Sequence, residues 1–390
     1  MAALVQIIVT PGSGVGGAIA IARDVRKRLE RDGYTAVMQA FRTLDALVEW
    51  TKTCRATFSY LVAIGGDATL SAAAEAAVRL AVPLVPVPSG FGNLFTGAFE
   101  HPNDPDEVVA LLGHGDLVWA DVGVVRGEIF LSHQSYGYLA RIQEDVERLE
   151  RPRQRYLRLL AYYRMAAKQL SSGSLDTIQV EIDGHVVPGK AGLVTIANVE
   201  TYRGFLSLTP AASPADGVLD VCAIPRTTQA RVLAQLVKVM LDVPGCRDEI
   251  SLYRGRHVRV RVNRRKPEDV RVLDGVLPLL TPAGSLDRLQ ARQFAAQAEK
   301  ILGKTQNEGF HLVARVATDF AGELFDRLGG KLLGVNLPEH LLDALQFVLG
   351  NQRFAQLLQV QRGMKLRGDR ANFVAGKNVV EHLLLLEAIQ

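Results

Sequence analysis

A chain of 390 residues sets an expectation of two or three domains. Its 48% hydrophobic and 22% charged residues are ordinary globular composition, and a formal net charge of +4 excludes a polyanion-coating protein while allowing a local basic face. Three cysteines, Cys54, Cys222 and Cys246, are odd in number, far apart and without CxxC spacing, so they suit a reducing compartment and argue against a disulfide framework or zinc site.

The opening MAALVQIIVTPGSG has neither a basic region nor a long apolar core, so no signal peptide is expected. The most apolar later stretch, Leu80 to Phe95, is broken by Pro83, Pro86 and Pro88. It falls short of the roughly 20 apolar residues a membrane span needs. The expected location is cytoplasmic, with any membrane contact peripheral. Strand and helix patterns then alternate. Leu4 to Val9 is an apolar β-branched run, followed by a glycine-rich loop from Pro11 to Gly17. Ile19, Ile21, Val25 and Leu29 recur at helical spacing until Asp32-Gly33. Tyr34 to Met38 reads as a strand, Leu44 to Trp50 as helix and Tyr60 to Ile64 as a buried strand. Leu70 to Leu80 is an alanine-rich helix, and Pro83 to Val87 a further strand. This alternation predicts an α/β N-terminal domain with a parallel sheet, over residues 1–116.

From Leu117 short strands dominate: Leu117 to Val125, Glu128 to Ser132, Thr177 to Ile182, Ala191 to Val199, Gly217 to Ile224 and His257 to Val262. In the last, Val258, Val260 and Val262 alternate with Arg259 and Arg261, the pattern of a half-buried strand. A helix is expected at about Arg153 to Leu170. Residues 117–304 therefore read as a β-rich, sandwich-like second domain whose end returns to the first. Residues 305–390 read as an α-helical extension, with Leu312, Val316, Phe320 and Leu324 four apart. It is either a packed module or a lipid-facing or homodimerising surface.

Three glycine-rich loops follow strands of the first domain. Gly12-Ser13-Gly14-Val15-Gly16-Gly17 matches GxGxxG, whose backbone N–H groups can meet an anion at a helix start. A dinucleotide fold needs an acidic residue after the next strand, and Gln39-Ala40-Phe41-Arg42 offers none. Gly65-Gly66-Asp67-Ala68-Thr69 lets the backbone approach a phosphate closely and offers the Thr69 hydroxyl. Asp67 faces an anion only across a metal or a moving proton; the alternative is that it caps the helix. Gly90, Gly92 and Asn93 form the third loop, within Val87-Pro88-Ser89-Gly90-Phe91-Gly92-Asn93-Leu94-Phe95. All three would lie at the carboxyl edge of one sheet, where ligands bind.

In order and spacing these loops resemble the NPxSG, GGDGT and PxGTxND loops of the diacylglycerol kinase-like lipid kinases, a group that includes bacterial lipid kinases, sphingosine kinases and ceramide kinases. The resemblance continues through Ala120-Asp121-Val122-Gly123, Ile129-Phe130-Leu131, Ser135-Tyr136-Gly137, Asn198 to Gly204, Pro210-Ala211, Ala215-Asp216-Gly217-Val218-Leu219-Asp220 and Leu273-Asp274-Gly275-Val276. It spans about residues 4–295 and leaves the helical extension uncovered. It implies transfer of the γ-phosphoryl of ATP, with Mg²⁺, to a lipid hydroxyl. By resemblance, Thr10, Ser13, Gly65, Gly66 and Thr69 hold the triphosphate, with Gly90, Gly92 and Asn93 beside the nucleotide. Asp67 supports Mg²⁺ or the reacting hydroxyl, Asp216 matches a metal-associated acid, and Asp274 is the proton acceptor.

The expected partners are a lipid substrate and a peripheral membrane surface, without nucleic acid. The helix around Tyr156, Leu159, Leu160, Tyr162 and Tyr163 either lines a lipid slot or packs as core, and Arg151 to Arg158 could meet anionic lipid. Arg259 and Arg261 read as plain surface. Four residues depart from the family pattern: Ala68 for glycine, Phe91 for threonine, Leu94 for aspartate and Val276 for the glutamate of DGE. The last two motivate an alternative, a catalytically silent lipid- or nucleotide-binding relative. An NAD kinase-like enzyme is another, although Phe130-Leu131-Ser132-His133-Gln134 lacks the Asn-Glu or Asn-Asp pair typical of that group.

Overall fold

The computed structural model describes residues 3–10, 17–90, 92–137, 140–141, 175–200, 207–240, 243, 246 and 249–302. Met1–Gln293 forms one compact unit, to which the following description applies. The helix expected at Arg153 to Leu170, the Arg151 to Arg158 run, Ser13, Phe91 and the extension 305–390 lie outside the described residues. No described helix is long and apolar enough to cross a membrane.

Strands β1 (Leu4–Val9), β2 (Thr35–Ala40), β3 (Tyr60–Gly65) and β4 (Leu84–Pro88) run parallel in the order β4-β3-β1-β2. Between and after them come α1 (Ala18–Arg31), α2 (Leu44–Thr53), α3 (Asp67–Leu80), α4 (Leu94–Ala98) and α5 (Pro105–His114). The two-residue period of a strand sorts the side chains. Val5, Ile7, Val9, Val62, Ile64, Val85 and Val87 pack with Val25 and Leu29 of α1 and Val108 of α5. Ile8, Leu61, Ala63 and Leu84 pack with Leu47 of α2 and Leu70, Ala73, Ala74 and Ala77 of α3. Small alanines let α3 lie close to the sheet. Each fully buried leucine, isoleucine or valine contributes about 1.5–3 kcal/mol through apolar area removed from water.

The second half contains β5 (Asp116–Val125), β6 (Glu128–Phe130), β7 (His133–Gly137), β8 (Ile178–Ile182), β9 (His185–Val186), β10 (Ala191–Ala197), β11 (Leu219–Pro225), β12 (Ser251–Gly255), β13 (His257–Val262) and β14 (Glu268–Thr281). Helix α6 (Gln229–Met240) precedes β12, and α7 (Ser285–Leu302) follows β14. Val258 and Val260 of β13, Val270 and Val272 of β14, and Ile178, Val180, Val194 and Val221 form an inner core. Arg259 and Arg261 face outward, as the alternation predicts. Helix α6 seals a further core through Val232, Leu236 and Val239.

Strand β14 joins the two halves. Its first part pairs antiparallel with β13, much of its length with β5, and Leu279 lies parallel beside Leu84 of β4. An irregularity interrupts the β5 ladder: Leu273 pairs with Val122 and Leu277 with Ala120. Asp274, Gly275 and Val276 therefore bulge opposite Asp121 alone.

Candidate active site

In the order β4-β3-β1-β2 the chain steps one way from β1 to β2 and the other way from β1 to β3. A crevice opens at the carboxyl ends of strands where the winding reverses, here β1 and β3. Thr10 follows β1, is 8% exposed, and its N–H donates to Ile64 O at 3.4 Å. Gly65 ends β3, where a Cβ would fall on the Thr69 side chain, 2.7 Å from Oγ1. A Cβ on Gly90 would lie 2.5 Å from Gly66 Cα and 2.8 Å from Asn93 Oδ1. The loops after β3 and β4 thus meet backbone to backbone, which only glycine permits. Ser89 N donates to Gly65 O at 3.0 Å. The buried Ser89 Oγ has no hydrogen-bond partner among the described residues, and sequence reasoning gave it no role.

Asp67 is the first residue of α3, yet the helix it serves is α4. Its Oδ1 accepts the N–H of Phe95 at 3.2 Å, while the α3 N-cap, Gly66, makes no side-chain cap. Burial pushes the Asp67 carboxyl up from its ordinary value, and the N–H groups of Phe95, Leu94, Asp67 itself and Asn93 pull it back. A Cβ on Gly92 would approach Asp67 Oδ2 to 3.1 Å. Asn93 has left-handed backbone, φ 50°. Its Oδ1 accepts Gly90 N at 2.9 Å and its Nδ2 donates to Gly90 O at 3.0 Å. The Asn93 amide thus shapes the loop.

The other two expected acids are assembled by a residue that sequence reading left without a role. Asp121, on β5, is 1% exposed. Its Oδ2 accepts Asp216 N at 2.9 Å and Gly217 N at 2.7 Å, and its Oδ1 accepts Gly275 N at 2.7 Å. Buried Asn198 holds the same strand by donating to Asp121 O at 2.9 Å. One carboxylate thereby ties the Asp216-Gly217 turn to the Asp274 bulge. Gly217, at φ 71°, runs so close that a Cβ would lie 2.8 Å from Asp274 Oδ2. Asp274 is half exposed and accepts Arg256 Nη2 at 2.8 Å.

Sequence comparison draws these observations together. Residues 5–125 match the diacylglycerol kinase catalytic domain, and residues 132–277 match the YegS C-terminal NAD kinase beta sandwich-like domain. These two matched segments support a relationship to the diacylglycerol kinase-like kinases. A diacylglycerol kinase of Staphylococcus saprophyticus is 25% identical over 233 residues, 58% of this chain and 74% of that one. One from Staphylococcus aureus is 25% identical over 233 residues, 58% of this chain and 72% of its own. The crystal structure of a diacylglycerol kinase from Bacillus anthracis shares the fold, at 18% identity and a TM-score of 0.53, over 72% of this chain and 97% of that one.

Within this diacylglycerol kinase-like frame, two of the departures are apolar substitutions that pack, while Ala68 is exposed at the start of α3. Leu94 and Val276 both lie against the core that contains α3. Where a metal was expected, Asp216 meets the Arg254 guanidinium and the Gln293 amide. Burial pushes its carboxyl up, against the pull of Arg254. Among the described residues no three His, Cys, Asp or Glu side chains cluster around a potential ion. Mg²⁺ can be held by one or two carboxylates together with substrate phosphates and water. Asp67, at the crevice, fits that demand; Asp216, engaged by a cation, does not. The glycine contact and the Ser89 hydroxyl fit a phosphate chain.

Proposed function

We propose that this protein transfers the γ-phosphoryl of ATP to a hydroxyl on a lipid such as diacylglycerol or ceramide. The observation carrying this reading is the backbone contact of Gly66 with Gly90 beside a half-buried Asp67 at the sheet's winding reversal. Gly65, Gly66, Thr69, Thr10 and Ser13 would take the triphosphate, with Ser89 added. Mg²⁺ would neutralise charge on the transferring group, held by Asp67. As the acceptor oxygen bonds to the γ-phosphorus, its proton passes to Asp274, the β–γ bridging P–O bond breaks, and ADP leaves. Asp121 holds the Asp274 bulge while that proton moves.

The reading is tested by incubating purified protein with γ-labelled ATP, Mg²⁺ and diacylglycerol, ceramide, sphingoid base, phosphatidylglycerol or NAD. Label in one lipid, lost in Asp67→Ala, is the expected result. Label in NAD alone favours the soluble-acceptor reading, which the match of residues 132–277 motivates. Label in none favours the silent relative, which Val276 motivates.

A further inference from the structure

The outer face of β13 and β14 carries a groove of about 740 Å³ that the proposed chemistry leaves unused. Small-molecule sites measure roughly 300–1,000 Å³. It opens to solvent between the β5–β6 turn, β13 and the turn into β14. Arg126 enters from the first, Arg259 from the second, Lys266 from the third and Arg271 from β14 itself. Its two carboxylates are already engaged. Glu268 accepts Arg126 Nη2 at 3.1 Å and the Tyr136 hydroxyl at 3.2 Å. Asp269 accepts Arg259 Nε at 3.0 Å and is hydrogen-bonded to His257 Nε2 at 3.0 Å. Arg259 also reaches Glu181 at 3.4 Å. Lys266 and Arg271 are exposed and form no ion pair with a described residue. Four fixed cations against two carboxylates leave the lining at +2. Arg264 and Arg265, exposed in the same turn, extend the positive field beyond the rim.

We propose that this groove seats the anionic phosphate headgroup of a phospholipid in a bilayer. Two cations without an ion pair among the described residues, Lys266 and Arg271, suffice for one phosphodiester of charge −1, whereas a nucleic acid track needs a longer row of cations. The groove faces solvent on an open sheet surface, so a headgroup can enter while its acyl chains stay in the membrane. Arg271 lies three residues before Asp274 on the same strand, about 10 Å at the rise of a β-strand. A seated headgroup therefore brings the Asp274 bulge to the bilayer surface. The choice of bilayer over soluble anion rests on the proposed lipid acceptor, but binding is measured without ATP, so either idea can fail alone.

The test is co-sedimentation of the full chain with phosphatidylcholine vesicles, with and without phosphatidylglycerol. Lys266→Ala/Arg271→Ala is compared with Arg23→Ala/Lys27→Ala, which removes the same charge from α1. Thermal midpoints check folding, and Lys266→Ala alone serves if the double variant is unstable. The wild type should prefer the anionic vesicles, the groove variant should lose about tenfold or more in affinity, and the α1 variant should change little. The single variant should lose a smaller part. Equal losses in both double variants would reduce the effect to net charge and overturn the site. So would a wild type indifferent to phosphatidylglycerol, or one that binds glycerol phosphate in solution but no vesicle.

Discussion

Asp67 shows how one carboxylate can be structural and chemical together. Oδ1 organises the first turn of α4, and burial raises the carboxyl above its ordinary value. Below that raised value Asp67 is protonated and can neither bind a cation nor accept a proton. Turnover should therefore rise with pH through a midpoint above the ordinary Asp value of about 3.9. Asp67→Asn keeps an acceptor oxygen for Phe95 but loses the charge. We expect kcat to fall about 10²–10⁴-fold with little change in denaturation midpoint. A variant that unfolds more readily yet keeps its turnover would make Asp67 purely structural. Asp121 is the opposite case. Asn in its place offers one acceptor oxygen for three N–H donors and turns an NH₂ toward at least one. Asp121→Asn should lower unfolding free energy by about 1–3 kcal/mol, read by urea titration. It should also lower turnover by releasing the Asp274 bulge, whereas a loss of stability with kcat intact would separate the two.

At the scale of elements, the loops and β14 divide what sequence could and could not reveal. The glycine loops were legible because close backbone approach demands glycine and strands precede each loop. The contact between Gly66 and Gly90 was not, since it joins loops that only sheet order brings together. Gly90→Ala should force Gly66 and Asn93 apart, an overpacking that costs about 1–3 kcal/mol. Calorimetric titration with ATP should show weaker binding by tenfold or more, and unchanged affinity would mean the nucleotide lies elsewhere. Strand β14 was read only as a short segment around Asp274. Asp274-Gly275 reads as a turn, and Pro278 lacks a ladder donor, so the fourteen-residue strand has no continuous period. The bulge explains both: Gly275 adopts φ 59°, and Asp121 satisfies its N–H. Asp121 was matched to the family pattern but given no role, because a buried carboxylate on a strand declares its role only through distant partners. Helix α5 carried a readable signal, Asp104 before Pro105, which the Asp104 side chain realises by accepting from Asp106 N and Glu107 N.

For the whole molecule, β14 makes the two halves interdependent, and His101 ties stability to pH at that joint. His101 is 7% exposed and packs edge-on against Phe99. Its Nε2 donates to Leu280 O on β14 at 2.9 Å, and its buried Nδ1 has no partner among the described residues. A second proton on Nδ1 would charge the ring in an apolar site, and burial lowers the pKa to about 4 from an ordinary 6.5. The sign follows from linkage. Between these values the unfolded chain binds the proton and the folded chain does not, so stability falls as pH drops from 6.5 toward 4. The loss levels off below the folded value and amounts to about 3 kcal/mol at about 1.4 kcal/mol per unit. Gln in place of His101 keeps a donor for Leu280 O and cannot titrate. Urea unfolding across this range should show wild type losing about 3 kcal/mol more than His101→Gln. Parallel losses in the two proteins would place the acid sensitivity elsewhere, with half-buried His133, also lowered to about 4, the next residue to replace.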